Sequence, residues 1–437
     1  MKKIFVLLFL CLILCCSCSN EAADSVSEAE SQPQPESQPQ LESSFAESSV
    51  SESSEASSSS GESTAQHAIT SSYVEHLYKK DIKSINCYYG TGAAVLNDGS
   101  AVFWGTNVYG GIGNGEVDNN IPEGEKATPV PPYRHCFPEP VVDAGSVVSS
   151  YALTESGDLY TWGMHVGAPE TGQGDSPISI PTKVAGLSNI KQVSMAPSFT
   201  LALKEDGSVY HAGSKMELVG SYEEFERGLD ESKKDNFFTE LPLDFKCKKV
   251  DTSCFSYVFL SDEGEVYIQG ILLSDLYAKI PDLVFKDVTK IDFPEKIVDV
   301  AALTFNVVAL SENGSLYMFG YPYTGISNEE TDSYISEMIY KKDLENIKSI
   351  NGSLDVVGAL SEDGEIYVWG IDTDGLIKET NVGLPNGQFE IISEPTKLDY
   401  RNITQFCIGR CDGTAISENG DIYIWGSNDI GQIIEFE

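Results

Sequence analysis

Five histidines are the first candidates for catalytic or metal-binding chemistry in this 437-residue chain. They share no spacing typical of a metal site, and the chain has neither a P-loop nor a G-x-S-x-G nucleophile elbow. These histidines are His67, His76, His135, His165 and His211. The sequence therefore identifies no catalytic residue, no metal ligand and no residue that would bind a cofactor. It leaves an enzymatic activity open and favours a role without one.

One acidic segment resembles the start of a calcium-binding loop. Asp372, Thr373, Asp374 and Gly375 follow one another, but the later ligands and the closing glutamate of such a loop are missing. We therefore predict a turn between strands here rather than a metal site.

The charge of the chain limits its partners. Acidic residues outnumber basic ones by 67 to 28, which gives a formal net charge of −39. Pairs of acidic residues are expected in such a composition and do not indicate an acid–base pair by themselves. An acidic chain without a basic stripe repels phosphate groups, so we predict no nucleic-acid partner.

The N-terminus has the order of features of a bacterial export signal. Two lysines precede an apolar run over residues 4–14, which is too short to span a bilayer comfortably and is followed by the tetrapeptide CCSC. A cysteine that follows a small residue at the end of such a run resembles the bacterial lipobox. We predict a lipoprotein signal peptide over residues 1–17 and lipidation of Cys18. The alternatives are lipidation of Cys16 and a cleaved signal peptide without lipid.

A polar segment follows this signal. Residues 20–66 consist almost entirely of Ser, Glu, Gln, Pro and Ala and contain no lysine or arginine. Such a segment cannot bury enough apolar surface to offset its ordering entropy. We predict a disordered acidic tether over residues 18–69. The chain is then extracytoplasmic and attached to the bacterial cell membrane through its lipid anchor alone.

Six cysteines lie beyond the signal, and an exported chain can oxidise them. They are Cys87, Cys136, Cys247, Cys254, Cys407 and Cys411. Six cysteines allow 15 connectivities, and the sequence does not choose among them. Cys407 and Cys411 lie close enough to pair across a bend, whereas burial of most of the thiols as small apolar side chains is the alternative.

A repeat organises the rest of the chain. Seven glycines are each followed six residues later by a second glycine, and an apolar segment such as EIYVWG joins the two. The pairs are Gly99 and Gly105, Gly157 and Gly163, Gly207 and Gly213, Gly264 and Gly270, Gly314 and Gly320, Gly364 and Gly370, and Gly420 and Gly426. A polar residue precedes each first glycine, and a further apolar run precedes that. Because glycine adopts the positive φ of a tight turn, each unit predicts a β-hairpin.

All four tryptophans of the chain occupy one position in this repeat. They directly precede the second glycine of a pair, at Trp104, Trp162, Trp369 and Trp425. A large flat side chain at the same place in several units predicts packing between neighbouring units rather than stacking on a ligand.

The repeat also indicates a fold. Its mean period is 53.5 residues, and sheets of three or four strands bury both faces only when they stack, as in a propeller. The pattern A-L-x-x-[DE]-G-x-[VI]-Y-x-W-G, clearest at residues 359–370, resembles the repeat of the regulator-of-chromosome-condensation family. The family segment N-x-x-G-Q-L-G is matched in part by residues 107–113 and 428–432. A histidine common in the family before A-L is absent from every copy here.

This resemblance covers about residues 82–434 and implies an all-β, seven-bladed β-propeller, which we place at residues 70–437. We further predict that residues 70–79 return to the last blade and supply its outer strand.

The longest segments between repeats span residues 106–141, 214–248 and 321–346. Long loops on a rigid scaffold often carry binding sites, although neutral insertion would explain them equally well.

Three hypotheses for function follow. The first is an extracytoplasmic, monomeric protein-binding module whose partner is an unknown protein of the envelope or the extracellular space, because the resemblance implies protein recognition through a loop-ringed face. The second is a hydrolase or lyase of cell-wall polymer that uses acidic residues in the propeller channel. The third is a structural or adhesive surface protein. A pocket with two carboxylates in unusual environments would favour the enzyme, and a broad binding face would favour the first hypothesis.

Overall fold

The computed structural model describes residues 68–426, except for 75, 89, 119–127, 148, 165–177, 216–233, 274–282, 321–338, 343, 355, 373–374, 379–389 and 410–411, and it also describes residue 434. The predicted signal peptide, Cys18, Cys16 and nearly all of the predicted tether lie outside the described residues. His67, His165 and Cys411 lie outside them as well.

The described part of the chain contains 28 strands and two short 3-10 turns, at Lys79–Asp81 and Val108–Gly110. The strands are β1 (Thr70–Tyr73), β2 (Ile82–Tyr88), β3 (Thr91–Leu96), β4 (Ala101–Gly105), β5 (Val130–Cys136), β6 (Val141–Ser146), β7 (Ser149–Thr154), β8 (Leu159–Gly163), β9 (Ile178–Lys183), β10 (Ile190–Ala196), β11 (Phe199–Lys204), β12 (Val209–Ser214), β13 (Lys234–Glu240), β14 (Cys247–Thr252), β15 (Ser256–Ser261), β16 (Val266–Leu272), β17 (Leu283–Ile291), β18 (Ile297–Ala302), β19 (Asn306–Ser311), β20 (Leu316–Gly320), β21 (Ile339–Lys342), β22 (Ile347–Ser353), β23 (Val356–Ser361), β24 (Ile366–Asp372), β25 (Glu390–Lys397), β26 (Ile403–Ile408), β27 (Asp412–Ser417) and β28 (Ile422–Gly426).

These strands form seven antiparallel sheets, each built from consecutive strands in chain order. Blade 1 consists of β2–β5 with β1 added at its outer edge. Blades 2 to 6 consist of β6–β9, β10–β13, β14–β17, β18–β21 and β22–β25, and the described strands of blade 7 are β26–β28. The predicted all-β, seven-bladed propeller is confirmed.

The repeat glycines lie at the two ends of the third strand of each blade. All fourteen have positive φ, between 75° and 131°. Gly213 shows why the second glycine of a pair is needed: its φ is +101°, and a Cβ there would lie 2.4 Å from the backbone oxygen of Ser198. The end of this strand therefore requires both the left-handed backbone conformation and the absence of a side chain.

The tryptophans pack between blades. Trp162 of blade 2 is buried against Ala93 and Phe103 of blade 1, and its ring meets that of Phe103 edge to face at 4.8 Å. Trp369 of blade 6 is fully buried against Val308 of blade 5. Each of these indoles fills the space between its own sheet and the preceding one.

The predicted closure of the ring is wrong. β1 pairs antiparallel with β5 of blade 1, with Thr70 opposite Cys136, and not with blade 7. The following segment instead contributes a buried side chain, Leu77, to a cluster that also contains Ile416 and Ile422 of blade 7. Residues 70–79 thus contribute to closure by apolar packing between blades 1 and 7 rather than by completing a sheet.

The antiparallel order of the strands gives the propeller two distinct ends. We call the end that carries the second-to-third strand hairpins, such as residues 97–100, the hairpin face. We call the opposite end, where first strands meet second strands and third strands meet fourth strands, the loop face. Connections on the hairpin face comprise four to six residues, whereas the third-to-fourth strand connections comprise 10 to 24. The long segments of the chain therefore begin and end on a single face.

Candidate functional site

The first strands of the blades line the axis of the propeller. In β10 and β22 every third residue is buried, and the two residues between are partly exposed. At the loop-face end, six of these strands surround a cavity of about 260 Å³. We call this cavity the axial cavity.

Side chains of the inner strands tie each blade to the next. Six junctions carry a hydrogen bond between the third or fifth residue of one inner strand and the backbone of the next inner strand. These bonds join Asn86 Nδ2 to Ala144 O (2.7 Å), Gln192 Nε2 to Val250 O (2.8 Å), Ala302 N to Asp251 Oδ2 (2.9 Å), Ile350 N to Asp299 Oδ2 (3.2 Å), Ile408 N to Asn351 Oδ1 (2.6 Å) and Gln405 Nε2 to Lys83 O (3.4 Å). We call this set the inner ring.

Asp143, on the inner strand of blade 2, lines the axial cavity. The hydroxyl of Tyr151 donates to its Oδ2 at 2.9 Å, and Asn86 Nδ2 lies 3.4 Å from its Oδ1. Burial raises the pKa of this carboxyl, although hydrogen bonds from Tyr151, Ala144 and Asn86 act in the opposite direction. Burial, together with the Asp143 carboxylate, raises the pKa of Tyr151 well above its usual value, so the phenol remains protonated.

Asp251, on the inner strand of blade 4, also lines the cavity. Ser194 Oγ donates to its Oδ1 at 3.0 Å, and the amide of Ala302 donates to Oδ2. Burial raises its pKa, opposed mainly by the positive charge of Lys249. Lys249 itself is paired with Asp299, whose second oxygen belongs to the inner ring.

Each of these three carboxylates therefore has both oxygens in hydrogen bonds or ion pairs within the protein. General acid–base chemistry needs a group that exchanges protons with a substrate, whereas these groups hold neighbouring strands together. Within the described ranges, no group of three or more His, Cys, Asp or Glu side chains is placed to hold a metal ion.

The residues singled out from the repeat lie away from the axial cavity. None of the fourteen glycines and four tryptophans is among the described residues that line it. Two tryptophan side chains bond the preceding blade instead: Trp162 Nε1 donates to Gly111 O at 2.8 Å, and Trp425 Nε1 donates to Leu376 O at 3.0 Å. These tryptophans therefore act as packing elements between blades.

The segment that resembles a calcium loop is a strand-end turn in its described part. Asp372 is buried at the end of β24, and its Oδ2 accepts a hydrogen bond from the amide of Lys378 at 2.9 Å. Asn107 has the same role three residues after Trp104, where its Oδ1 accepts from the amide of Ile112 at 3.0 Å. Asp372 and Asn107 thus each hold the loop that follows their own third strand, and the tryptophan of the next blade packs against that loop.

The described histidines among the candidates are bonded within the fold. His135 and His211 are buried, and the Nε2 of each hydrogen-bonds a backbone carbonyl, of Ile112 at 2.9 Å and of Ser214 at 2.8 Å.

Cys136 and Cys247 are free thiols, and burial raises the pKa of Cys247 to about 12. Cys254 and Cys407 line the axial cavity.

Sequence analysis did not identify the residues of the axial cavity. Most of them occupy the third to seventh places of the strand that precedes the A-L pair, in six of the seven blades. Polar residues recur there at positions two apart in the sequence, and Asn86, Asp251 and Asn351 are each the second residue of such a pair. This recurrence was the signal that sequence analysis could have used.

No helix in the described part of the chain is long and apolar enough to cross a membrane.

Comparison with known proteins supports the fold. No protein-family model matches the chain. Among solved structures, yeast RCC1 (Prp20) bound to Kap60 is similar, with 19% identity and a TM-score of 0.57 over 76% of this chain and 79% of that one. Human WBSCR16 has 17% identity and a TM-score of 0.56 over 76% of this chain and 90% of its own.

A second structure of Prp20p, from Saccharomyces cerevisiae, described together with its binding to Gsp1p and histones, has 20% identity and a TM-score of 0.56 over 78% of this chain and 84% of its own. The chain therefore has the fold of an RCC1-type propeller, as its repeat predicts.

Proposed function

We propose that this protein is a membrane-anchored, extracytoplasmic propeller that binds a protein partner through its loop face. The observation that carries the proposal is the asymmetry of the connections. The six third-to-fourth strand connections that join described strands comprise 10 to 24 residues and all begin and end on the loop face, while the hairpin face has connections of four to six residues. Binding residues concentrate on loops that a rigid scaffold positions.

The attachment of the N-terminal segment is consistent with display of this face. β5 runs from the loop face to the hairpin face, and Thr70 pairs with Cys136 at the end of β5. The predicted tether therefore joins the propeller at the hairpin face. A lipid at Cys18 would hold the protein from that end and leave the loop face accessible.

The similar structures agree with a binding role. The yeast protein was solved bound to Kap60, and its binding to Gsp1p and histones is described. At 19–20% identity these partners do not transfer to this chain. The channel carboxylates, which would support a hydrolase or lyase, are held in hydrogen bonds between blades, so the binding role is better supported.

Affinity capture from envelope extract tests the binding face. Two double variants with exposed or half-exposed positions are compared with the wild type: Glu116→Arg with Pro197→Arg on the loop face, and Glu205→Arg with Glu312→Arg on the hairpin face. We expect the first to lose a stoichiometric protein partner and the second to retain it. Loss of the partner in the second variant alone, or capture of no stoichiometric partner by the wild type, would contradict the proposal.

Metabolic labelling with an alkyne fatty acid tests the anchor. Cys18→Ala should abolish labelling and release the protein from membranes, whereas Cys16→Ala should retain the label. Labelling that depends on Cys16 would move the lipidation site, and an unlabelled wild-type protein would exclude the lipid anchor.

A further inference from the structure

The outer edge of blade 7 differs from that of the other blades. β28, the third strand of this blade, pairs with β27 on one side, and no described strand pairs with it on the other. In each of the other six blades a fourth strand covers the third. The backbone N–H and C=O groups along an uncovered edge are a template for the pairing of another strand.

The exposure of side chains shows that this edge is open. Ile424 and Gly426 of β28 are partly exposed. The residues at the place of Ile424 in the other six blades are all buried, and they are Phe103, Thr161, His211, Ile268, Met318 and Val368. Val74, Leu77 and Ile434 pack against the same apolar cluster as Ile424, but none of these three residues lies in a strand.

The fourth strands of blades 2, 4 and 6 share one pairing pattern. In each of them a threonine and then a lysine lie opposite two successive residues of the third strand, and the lysine faces a tyrosine. The lysine and tyrosine pairs are Lys183 and Tyr160, Lys290 and Tyr267, and Lys397 and Tyr367. The threonines are Thr182, Thr289 and Thr396.

Each of these lysines also forms an ion pair with an acid two residues before the tyrosine. The pairs are Lys183 with Asp158, Lys290 with Glu265 and Lys397 with Glu365. Blades 1, 3 and 5 have a serine at the place of the acid, and the residue of the fourth strand varies there, from Arg134 to Glu240. In this repeat an acid before the third strand therefore accompanies a lysine on the strand that covers it.

Blade 7 has the acid and the tyrosine of this pattern without the lysine. Asp421 directly precedes β28, and Tyr423 is the second residue of that strand. The side chain of Asp421 is exposed and forms no ion pair in the part of the chain that the structure describes. The edge thus presents a negative charge at the place where three other blades receive a lysine.

We propose that the outer edge of β28 accepts an extended segment of another protein, which pairs antiparallel with it as a fourth strand and places a lysine opposite Tyr423, within reach of Asp421. A threonine before this lysine faces Ile424, and an apolar residue four places before the threonine faces Gly426. Blades 2, 4 and 6 have Ile178, Phe285 and Ile392 at that last place.

A second copy of the chain does not meet this requirement through β28 itself, because residues 420–426 contain no lysine or arginine. The edge lies on the side of the propeller rather than on the loop face. The inference therefore goes beyond the proposed binding through the loop face and does not depend on it.

The direct test titrates the isotope-labelled full chain with a synthetic peptide ISIPTK, blocked at both ends, and follows the backbone amides by NMR. This peptide has the sequence of residues 178–183. We expect saturable shifts at the amides of β28. The peptide with glutamate in place of the lysine should bind about tenfold more weakly, because it brings a like charge to Asp421.

A charge exchange locates the contact. Asp421→Lys should reverse the preference, so that the glutamate peptide binds more tightly than the lysine peptide. Glu418→Lys makes the same charge change at an exposed position of the same hairpin and should keep the preference for lysine. Thermal unfolding verifies that both variants are folded. Absence of saturable binding by the wild type, or equal effects of the two variants, would overturn the proposal.

Hydrogen exchange of the free protein tests whether the edge is available. The amides of β28 that face away from β27 should exchange faster than the corresponding amides of β8 and β24, which a fourth strand covers. Equal protection without peptide would show that another segment of this chain covers the edge, and would also overturn the proposal. Both experiments use the purified protein, so their failure leaves the capture test of the loop face unaffected.

Discussion

The indole nitrogens of the repeat tryptophans differ in their hydrogen bonding. Trp162 Nε1 donates to Gly111 O of the preceding blade, whereas the buried Trp369 Nε1 has no partner among the described residues. Both side chains are almost fully buried, at 2% and 0% exposure. The pair therefore separates the contribution of the hydrogen bond from that of apolar packing.

Replacement of Trp162 by Phe should lower the free energy of unfolding by about 1 kcal/mol more than replacement of Trp369 by Phe, because only the first removes a hydrogen bond. Urea unfolding of the two variants measures this difference. Equal losses would show that the bond to Gly111 contributes nothing beyond packing.

His135 connects three parts of blade 1. Its Nε2 bonds the carbonyl of Ile112 at 2.9 Å, and its Nδ1 lies 2.8 Å from the hydroxyl of Ser71 on β1. Because a carbonyl only accepts, Nε2 carries the proton of the neutral ring and Nδ1 accepts from Ser71. Burial lowers the pKa of His135, opposed by the bond to Ile112, so the folded state favours the neutral ring.

The stability of the protein should therefore fall as the pH drops below about 6.5, where the unfolded state binds the proton first. Replacement of His135 by Gln should remove this part of the pH dependence, and replacement of the exposed His76 by Gln should not. Urea unfolding between pH 7 and pH 5 measures the slopes. The same slope in the His135 variant as in the wild type would contradict this account.

At the scale of the element, the two glycines of the repeating unit differ in how strictly they exclude a side chain, as Gly213 near the end of a third strand and Gly420 in a hairpin turn show. Gly213 and Gly420 both have positive φ, of +101° and +81°. A Cβ at Gly213 would meet backbone atoms of the neighbouring strand, whereas a Cβ at Gly420 would have nothing within 4 Å. Glycine is therefore required at Gly213 by its positive φ and by the lack of space for a Cβ, and at Gly420 by its positive φ alone.

Replacement of Gly420 by Ala should cost about 1–2 kcal/mol of stability, because the left-handed conformation is strained for alanine. Replacement of Gly213 by Ala should cost clearly more, since the strand must also move away from the backbone oxygen of Ser198. Thermal unfolding compares the two variants. A smaller loss at Gly213 than at Gly420 would show that the blade accommodates the methyl group.

At the scale of the whole molecule, the ring closes between blades 1 and 7 through the packing of apolar side chains. Leu77, Ile416 and Ile422 share one buried cluster, and Gln405 contributes the longest bond of the inner ring, 3.4 Å to Lys83 O. Within the described strands, blade 7 has no fourth strand to strengthen the junction. Leu77 therefore adds apolar burial to the closure between blades 1 and 7.

Replacement of Leu77 by Ala should cost about 2–4 kcal/mol, as expected for a buried leucine whose surroundings collapse only in part. Tyr73→Ala, at a side chain that is 57% exposed on β1, serves as the control and should cost far less. Denaturant unfolding measures both. A loss below about 1 kcal/mol at Leu77 would mean that closure depends on other contacts.

The sequence by itself determined the repeating unit of this protein. The glycine pairs, the apolar strands between them and the tryptophan position lie within a few residues of one another, and local turn chemistry and alternation act over that distance. Seven such units in one chain predict a seven-bladed propeller, which the structure confirms.

Only the tertiary structure decided which residues meet at the axis and how the ring closes. Asp143, Asp251 and Ser353 are separated by about a hundred residues each and converge because seven inner strands surround one axis. No local sequence pattern predicts that residues so far apart in the chain come together. The pairing of β1 with β5 likewise joins segments about 60 residues apart in the chain, and Leu77 packs between blades 1 and 7.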